Sequence, residues 1–168
     1  LINLSEKGEL DIDIKVLITN KDDAGCIKRA ESKKIPHKII RGKDFLQKEA
    51  FELEIVNTLI HYDVELVVMA GWMKIVTPFF INKFKNKIIN IHPSLLPAYK
   101  GGSAIKDSIL NGSKITGCSV HFVEEEVDSG SLIMQAALSI RDDDDIESLS
   151  KRIHMLEHKI LPHSISHA

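Results

Sequence analysis

Two polar residues at strand spacing, Asn90 and His92, are the side chains in this 168-residue sequence best suited to chemistry. They end an apolar run, and Pro93 follows directly, which stops a strand because proline has no backbone N–H. Alternate side chains of a strand share a face, so both groups would project into the same space. An amide can donate a hydrogen bond to a developing oxyanion, and an imidazole can transfer a proton near neutral pH. The spacing predicts a reactive site at the carboxyl end of a strand.

The elements that must position this site alternate between strand and helix patterns. Strands are predicted at residues 12–18, 37–40, 64–70, 87–91, 115–123 and 132–140. Helices are predicted at residues 1–7, 24–34, from an N-cap at Asp44 to His61, after Pro78, at 104–110 and at 145–161. Residues 64–70 are almost continuously apolar, which favours a central strand of a parallel sheet. The order predicts an α/β fold whose sheet is parallel first and gains antiparallel strands late.

A carboxylate in the turn between the last two predicted strands, Asp128, is the third candidate for the site. Ligands of open α/β sheets bind beyond the carboxyl ends of the strands, where this turn could bring Asp128 over His92. A carboxylate beside an imidazole favours its protonated form and can relay protons through water. No serine or cysteine nucleophile is indicated. The set favours attack by an external amine on a carbonyl, with Asn90 and His92 stabilising the oxyanion and Asp128 managing protons.

Composition narrows the classes of protein that fit. The net charge of -2 and pI near 6.5 favour neither a nucleic-acid partner nor a membrane surface. No apolar run reaches the roughly 20 residues that span a bilayer, and no signal segment is visible. Cys26 and Cys118 form no CxxC pair, and His154 and His158 lie in no HExxH pattern, so neither a disulfide framework nor a metal site is expected. We expect a single cytoplasmic domain over residues 1–168.

Four sequence blocks together resemble the folate-dependent formyltransferases. They are residues 89–101 (INIHPSLLPAYKG), 117–123 (GCSVHFV), 127–130 (VDSG) and 68–75 (VMAGWMKI). The resemblance implies a Rossmann-like, open twisted sheet with helices on both faces. It also implies transfer of a formyl group from 10-formyltetrahydrofolate, the co-substrate, to the amine of glycinamide ribonucleotide in purine biosynthesis. No metal is implied, and the protein would be a monomer or a homodimer.

The same resemblance assigns roles to individual residues. Asn90, His92 and Asp128 would be the catalytic set, and Ser119 and His121 would support it. Ser94 and Glu157 would contact the nucleotide substrate, Glu157 at its ribose. The folate pocket would be formed by Met73, Lys74, Ile75, Val76, Ile88, Val123, Glu124 and Glu125.

The sequence departs from the family pattern in three places. No glycine-serine-asparagine phosphate loop is found, so the strand and loop of the family are expected to precede Leu1. Backbone amides at a helix N-terminus are what a substrate phosphate needs. Lys48 and Lys74 stand where the family often has arginine, which keeps the charge but loses the bidentate fork. After Gly101 the sequence reads Gly102-Ser103-Ala104-Ile105, where many relatives carry one or two histidines, and the alanine-isoleucine step leans slightly toward the methionyl-tRNA and amino-sugar formyltransferases.

Other functions remain open at this point. Enzymes that transfer formyl to methionyl-tRNA or to an amino-sugar nucleotide normally carry a further C-terminal domain, and a tRNA partner would require a basic face that this sequence lacks. Formyltetrahydrofolate hydrolase typically has histidine where Pro93 stands. A non-catalytic folate- or nucleotide-binding module would retain the pocket without the catalytic set, whereas Asn90, His92 and Asp128 are all present.

Overall fold

The computed structural model describes residues 1–168, and their contacts divide the chain into two compact units. The first unit comprises Leu1–Glu65 and Val76–Lys83, and the second comprises Leu66–Ile75 and Phe84–Ala168. None of the helices has the length and apolar character needed to cross a bilayer. The single domain expected over 1–168 stays a prediction.

The first unit contains a short parallel sheet and four α-helices. Its elements are α1 (Ile2–Glu6), β1 (Leu17–Thr19), α2 (Gly25–Ser32), β2 (His37–Ile39), a 3-10 turn (Gly42–Asp44), α3 (Lys48–His61) and α4 (Pro78–Lys83). β1 and β2 pair in parallel, with Leu17 opposite His37. Within this unit, α2 contacts both strands, and α3 contacts α4.

Two boundaries predicted in the first unit are wrong. The strand predicted over 12–18 begins only at Leu17, because its partner β2 starts at His37 directly after Pro36, whose missing N–H ends the ladder. Asp44 is not the N-cap of α3, which begins at Lys48 after Gln47. Asp44 ends the 3-10 turn instead, and Phe45 is extended (φ -122°, ψ 137°), with its ring 5.8 Å from that of Phe51.

The second unit is a four-stranded sheet with two helices. Its elements are β3 (Val67–Met69), β4 (Ile88–His92), α5 (Ala104–Leu110), β5 (Ile115–Phe122), β6 (Leu132–Ser139) and α6 (Ile146–Ile165). The strand order is β3-β4-β5-β6, in which β3 and β4 are parallel and the later pairs are antiparallel. The predicted α/β class, parallel early and antiparallel late, is therefore confirmed.

Two features of the second unit differ from the sequence prediction. The apolar run 64–70 forms only a three-residue strand, Val67–Met69, which lies at the end of the four-stranded sheet with half-buried side chains. α6 begins at its predicted cap, because Asp145 and Ser148 form a capping box. The helix then continues past Pro162 to Ile165, since the proline lies in the last turns and the face that includes Leu161 and Ile165 remains buried.

Strand alternation separates the two faces of β4 and β5. Ile89, Ile91 and Val120 point to one face and are buried. Asn90 and His92 point to the other face, opposite His121 and Ser119 respectively on β5. The antiparallel register therefore collects four polar side chains on one side of the sheet.

The close approach of β5 and β6 at Gly117 supports a test of stability. A Cβ at this position would lie 1.9 Å from the Ala136 carbonyl oxygen and 2.9 Å from Leu95 Cδ2. Gly117→Ala should lower the free energy of unfolding by about 1–3 kcal/mol, because backbone atoms cannot yield as a flexible side chain can. Urea denaturation of the two proteins would measure this difference in the free energy of unfolding.

Gly25→Ala is the matched control, since nothing lies within 4 Å of a Cβ at Gly25. Its free energy of unfolding should not fall, and it could rise by up to about 1 kcal/mol because alanine favours a helix over glycine. Equal losses in the two variants would contradict the proposed clash.

Candidate active site

Asn90 and His92 project from the carboxyl end of β4, as the spacing predicts. Asn90 is half-buried and His92 is 5% exposed. Both residues belong to the second unit, as does Asp128. The three catalytic candidates can therefore be described within one compact unit.

The imidazole of His92 lies between two hydrogen-bond acceptors. Its Nε2 is 2.8 Å from the Tyr99 carbonyl oxygen, and its Nδ1 is 3.3 Å from Oδ2 of Asp128. A carbonyl oxygen can only accept, so Nε2 carries a hydrogen. When Nδ1 is also protonated, the imidazolium donates to both groups. The geometry thus suits a cation held between a backbone dipole and a carboxylate.

The carboxylate of Asp128 connects three parts of the site. Besides contacting His92, Oδ2 accepts a hydrogen bond of 2.8 Å from the backbone N–H of Gly101, and Oδ1 lies 3.5 Å from Nε2 of His121. Asp128 has a left-handed backbone (φ 51°), which aspartate tolerates better than most residues. Its side chain is only 9% exposed. The turn therefore inserts the carboxylate into the polar face.

A second hydrogen-bond network holds the segment that follows β4. Ser119 Oγ donates to the Ser94 carbonyl oxygen (2.6 Å) and accepts from the Leu96 N–H (3.0 Å) and from Gln135 Nε2 (2.8 Å). Gln135 also donates to the Leu96 carbonyl oxygen (3.0 Å). Ser94 is completely buried and donates from Oγ to the Ala98 carbonyl oxygen. These bonds position the chain just before Tyr99, whose carbonyl contacts His92.

Three contributors to the site escaped the sequence analysis. Tyr99 and Gly101 act through backbone atoms, which no side-chain pattern reveals. Gln135 offers a signal, because it is a large polar residue in the otherwise mostly apolar stretch LIMQAALSI. It lies directly opposite Ser119 in the ladder. A polar residue opposite a strand that carries site residues is therefore itself a candidate for the site.

The predicted folate residues differ in their exposure. Met73 and Ile75 are 76% and 62% exposed, an unusual state for large apolar side chains, and Lys74 between them is also exposed. Ile88 is 1% exposed, and its carbonyl oxygen accepts from the Val123 N–H at 2.9 Å. Glu124 and Glu125 are exposed, whereas Val76 belongs to the first unit. Their role in binding stays a prediction.

Glu157 and Cys118 lie outside the cluster around His92. Burial raises the pKa of the half-buried Glu157 carboxyl, and nearby His154 partly opposes this shift. Cys118 belongs to the face opposite Asn90 and His92, and burial together with the Glu157 charge raises the pKa of its thiol to about 12. The thiol is therefore no nucleophile at neutral pH. Contact of Glu157 with a nucleotide stays a prediction.

Comparison with known proteins identifies the family to which this chain belongs. The family model described as formyl transferase matches residues 1–165, and the chain belongs to this family of group-transfer proteins. Phosphoribosylglycinamide formyltransferase of Bacillus subtilis (strain 168) is 40% identical over 152 residues, which cover 90% of this chain and 78% of that protein.

Other relatives are much longer than this chain. This chain is 44% identical over 153 residues to the trifunctional purine biosynthetic protein adenosine-3 of Chironomus tentans, but the match covers 91% of this chain and 11% of that protein.

A solved structure has the same fold. The crystal structure of glycinamide ribonucleotide transformylase 1 from Symbiobacterium toebii superimposes with a TM-score of 0.95 at 35% identity, covering 98% of this chain and 77% of that one.

Removal of the Ser119 hydroxyl tests the network behind His92. Ser119→Ala should lower the free energy of unfolding by about 1–3 kcal/mol, because the buried Leu96 N–H and Ser94 carbonyl each lose a hydrogen-bond partner. Ser150→Ala is the control, since its hydroxyl bonds only to the Ile146 carbonyl of its own helix. Chemical denaturation should show a change within about 0.5 kcal/mol for Ser150→Ala. Similar values for the two variants would contradict the network.

Proposed function

We propose that this chain transfers the formyl group of 10-formyltetrahydrofolate to the amine of glycinamide ribonucleotide, a step of de novo purine biosynthesis. The observation that carries the proposal is the placement of His92 between the Tyr99 carbonyl and the Asp128 carboxylate, beside Asn90. The names of the Bacillus subtilis and Symbiobacterium toebii relatives supply the substrate.

The chemistry requires charge stabilisation and one proton transfer. The amine nitrogen forms a bond to the formyl carbon, and the carbonyl electrons move to the formyl oxygen. Asn90 donates an amide hydrogen to this oxyanion, and the protonated ring of His92 adds positive charge beside it. Asp128 accepts a proton from the attacking ammonium, directly or through water. Asp128 returns this proton to N10, directly or through water, while the oxyanion electrons re-form the carbonyl and the C–N10 bond breaks, so atoms and charges balance.

The structure favours direct attack by the amine over a covalent enzyme intermediate. Ser94 and Ser119 are fully buried, and their hydroxyls donate to backbone carbonyls. Cys118 lies on the other face of the sheet with a raised pKa. No activated nucleophile therefore competes with an external amine at this face.

The exposed segment after β3 is our candidate for the folate. Met73 and Ile75 present apolar surface that a pterin ring could cover, and burial of such surface stabilises binding by about 25 cal/mol per Å².

Both cysteines are free thiols, which fits a reducing compartment, and we propose the cytoplasm. No group of three or more histidine, cysteine, aspartate or glutamate residues is arranged to hold a metal.

An acceptor comparison tests the proposal directly. The protein should release the formyl group from 10-formyltetrahydrofolate in the presence of glycinamide ribonucleotide. It should not do so with an amino-sugar nucleotide, with methionyl-tRNA or with water alone. Turnover with one of these other acceptors would overturn the assigned substrate and retain the formyl chemistry.

Substitution of His92 separates catalysis from binding. His92→Ala should lower kcat by about 10² to 10⁴, because the positive charge that His92 places beside the oxyanion acts mainly in the transition state. The Kd for the folate should change by no more than a few fold. Steady-state kinetics would give kcat, and a titration with the folate would give its Kd.

His163→Ala is the matched control, since His163 is exposed and its Nδ1 bonds to the Lys159 carbonyl. Its kcat should equal that of the unmodified protein. If His92→Ala weakened folate binding as much as turnover, His92 would have a structural role instead.

A further inference from the structure

We propose that His121 is a positioning residue that holds one amide hydrogen of Asn90, so that the other hydrogen is directed to the reacting carbonyl oxygen. The inference rests on the proposed formyl transfer and assigns to His121 a specific task at that site. His121 is 2% exposed and lies directly opposite Asn90 in the antiparallel ladder. It would touch no substrate and would act only through its neighbours.

The hydrogen positions of the His121 ring follow from its contacts. Nδ1 is 2.8 Å from the Phe122 carbonyl oxygen, which can only accept, so Nδ1 carries a hydrogen. Burial lowers the pKa of His121, although the Phe122 carbonyl and Asp128 partly oppose this shift. The neutral ring therefore dominates at pH 7, and its Nε2 presents a lone pair.

That lone pair determines the orientation of the Asn90 amide. Nε2 of His121 is 3.3 Å from Nδ2 of Asn90, so the amide donates one of its two N–H hydrogens to the ring. If the amide turned over, its oxygen would face the Nε2 lone pair without a hydrogen between them. The second N–H therefore keeps a defined direction, as an oxyanion donor must.

Protonation of His121 would reverse this arrangement. Oδ1 of Asp128 lies 3.5 Å from Nε2 and would accept from an Nε2–H. The Asn90 amide would then present its oxygen rather than its N–H to the ring. Two charged or titratable groups face His121. The Asp128 carboxylate favours protonation of His121, and His92 opposes protonation of His121. Leu132, which lies opposite His121 on β6, is apolar. Activity that depends on Asn90 should fall as pH drops through the lowered pKa of His121.

Two substitutions distinguish positioning from packing. His121→Phe keeps a ring of similar size but removes the acceptor, whereas His121→Gln provides a side-chain oxygen that can accept from Asn90. We expect kcat to fall by about 10² in His121→Phe, the scale of a lost oxyanion donor, with the folate KM within a few fold. His121→Gln should recover at least tenfold of that loss. Its kcat should also lose the decrease at low pH that protonation of His121 causes, because glutamine does not titrate. Equal kcat in the two variants would overturn the proposal.

A spectroscopic measurement does not depend on turnover. In the ligand-free protein at pH 7, ¹⁵N NMR of labelled histidine should show His121 with hydrogen on Nδ1 and a lone pair on Nε2. Hydrogen on Nε2 would overturn the proposal even if His121→Phe failed to fold. Failure of the proposed function would instead appear as absence of formyl transfer to glycinamide ribonucleotide in the unmodified protein, with the tautomer unchanged.

Discussion

The antiparallel register between β4 and β5 is the constraint on which the site depends. It places Asn90 opposite His121 and His92 opposite Ser119, so each catalytic candidate on β4 faces a polar partner on β5. Side chains alternate with a period of two, and a slip of one residue would send every one of these groups to the apolar face. The buried isoleucines Ile89 and Ile91 prevent that slip, because their removal from water requires the opposite face. The core therefore holds these candidate catalytic groups in place.

Burial of so many polar groups is tolerated because nearly all of them are paired. Ser94, Ser119 and His121 are almost inaccessible to water, and each has at least one hydrogen bond to a backbone carbonyl. Asp128 is similarly enclosed and accepts from a backbone N–H. An unpaired group in such a place would cost about 1–3 kcal/mol. A network in which each member has a partner leaves few alternative arrangements, which is the condition for a preorganised site.

The sequence predicted most of the second unit well, but it predicted β3 and parts of the first unit poorly. The β4 to β6 strands and α5 agree with their predicted limits to within one or two residues, because Pro93, Asn111-Gly112 and the Asp128 turn mark the ends of strong periodic patterns. The N-cap prediction at Asp44 was wrong because the chain is extended at Phe45, whose ring contacts the Phe51 ring, and α3 begins only at Lys48. The predicted start of the strand over 12–18 was wrong because a β-branched run indicates which residues could form a strand but not how long its partner is.

By itself, the sequence determined which side chains can do chemistry and which face of a strand they share. Asn90 and His92 follow from period-two alternation, and Asp128 follows from a polar turn after a strand, so these choices need only local information. Only the tertiary structure decided that Asp128 reaches both histidines, that the backbone of Tyr99 and Gly101 completes the site, and that Gln135 supports it. These contacts join residues distant in sequence or use backbone atoms common to every residue. Side-chain type cannot encode such contacts, because they depend on strand register and on the path of the loops.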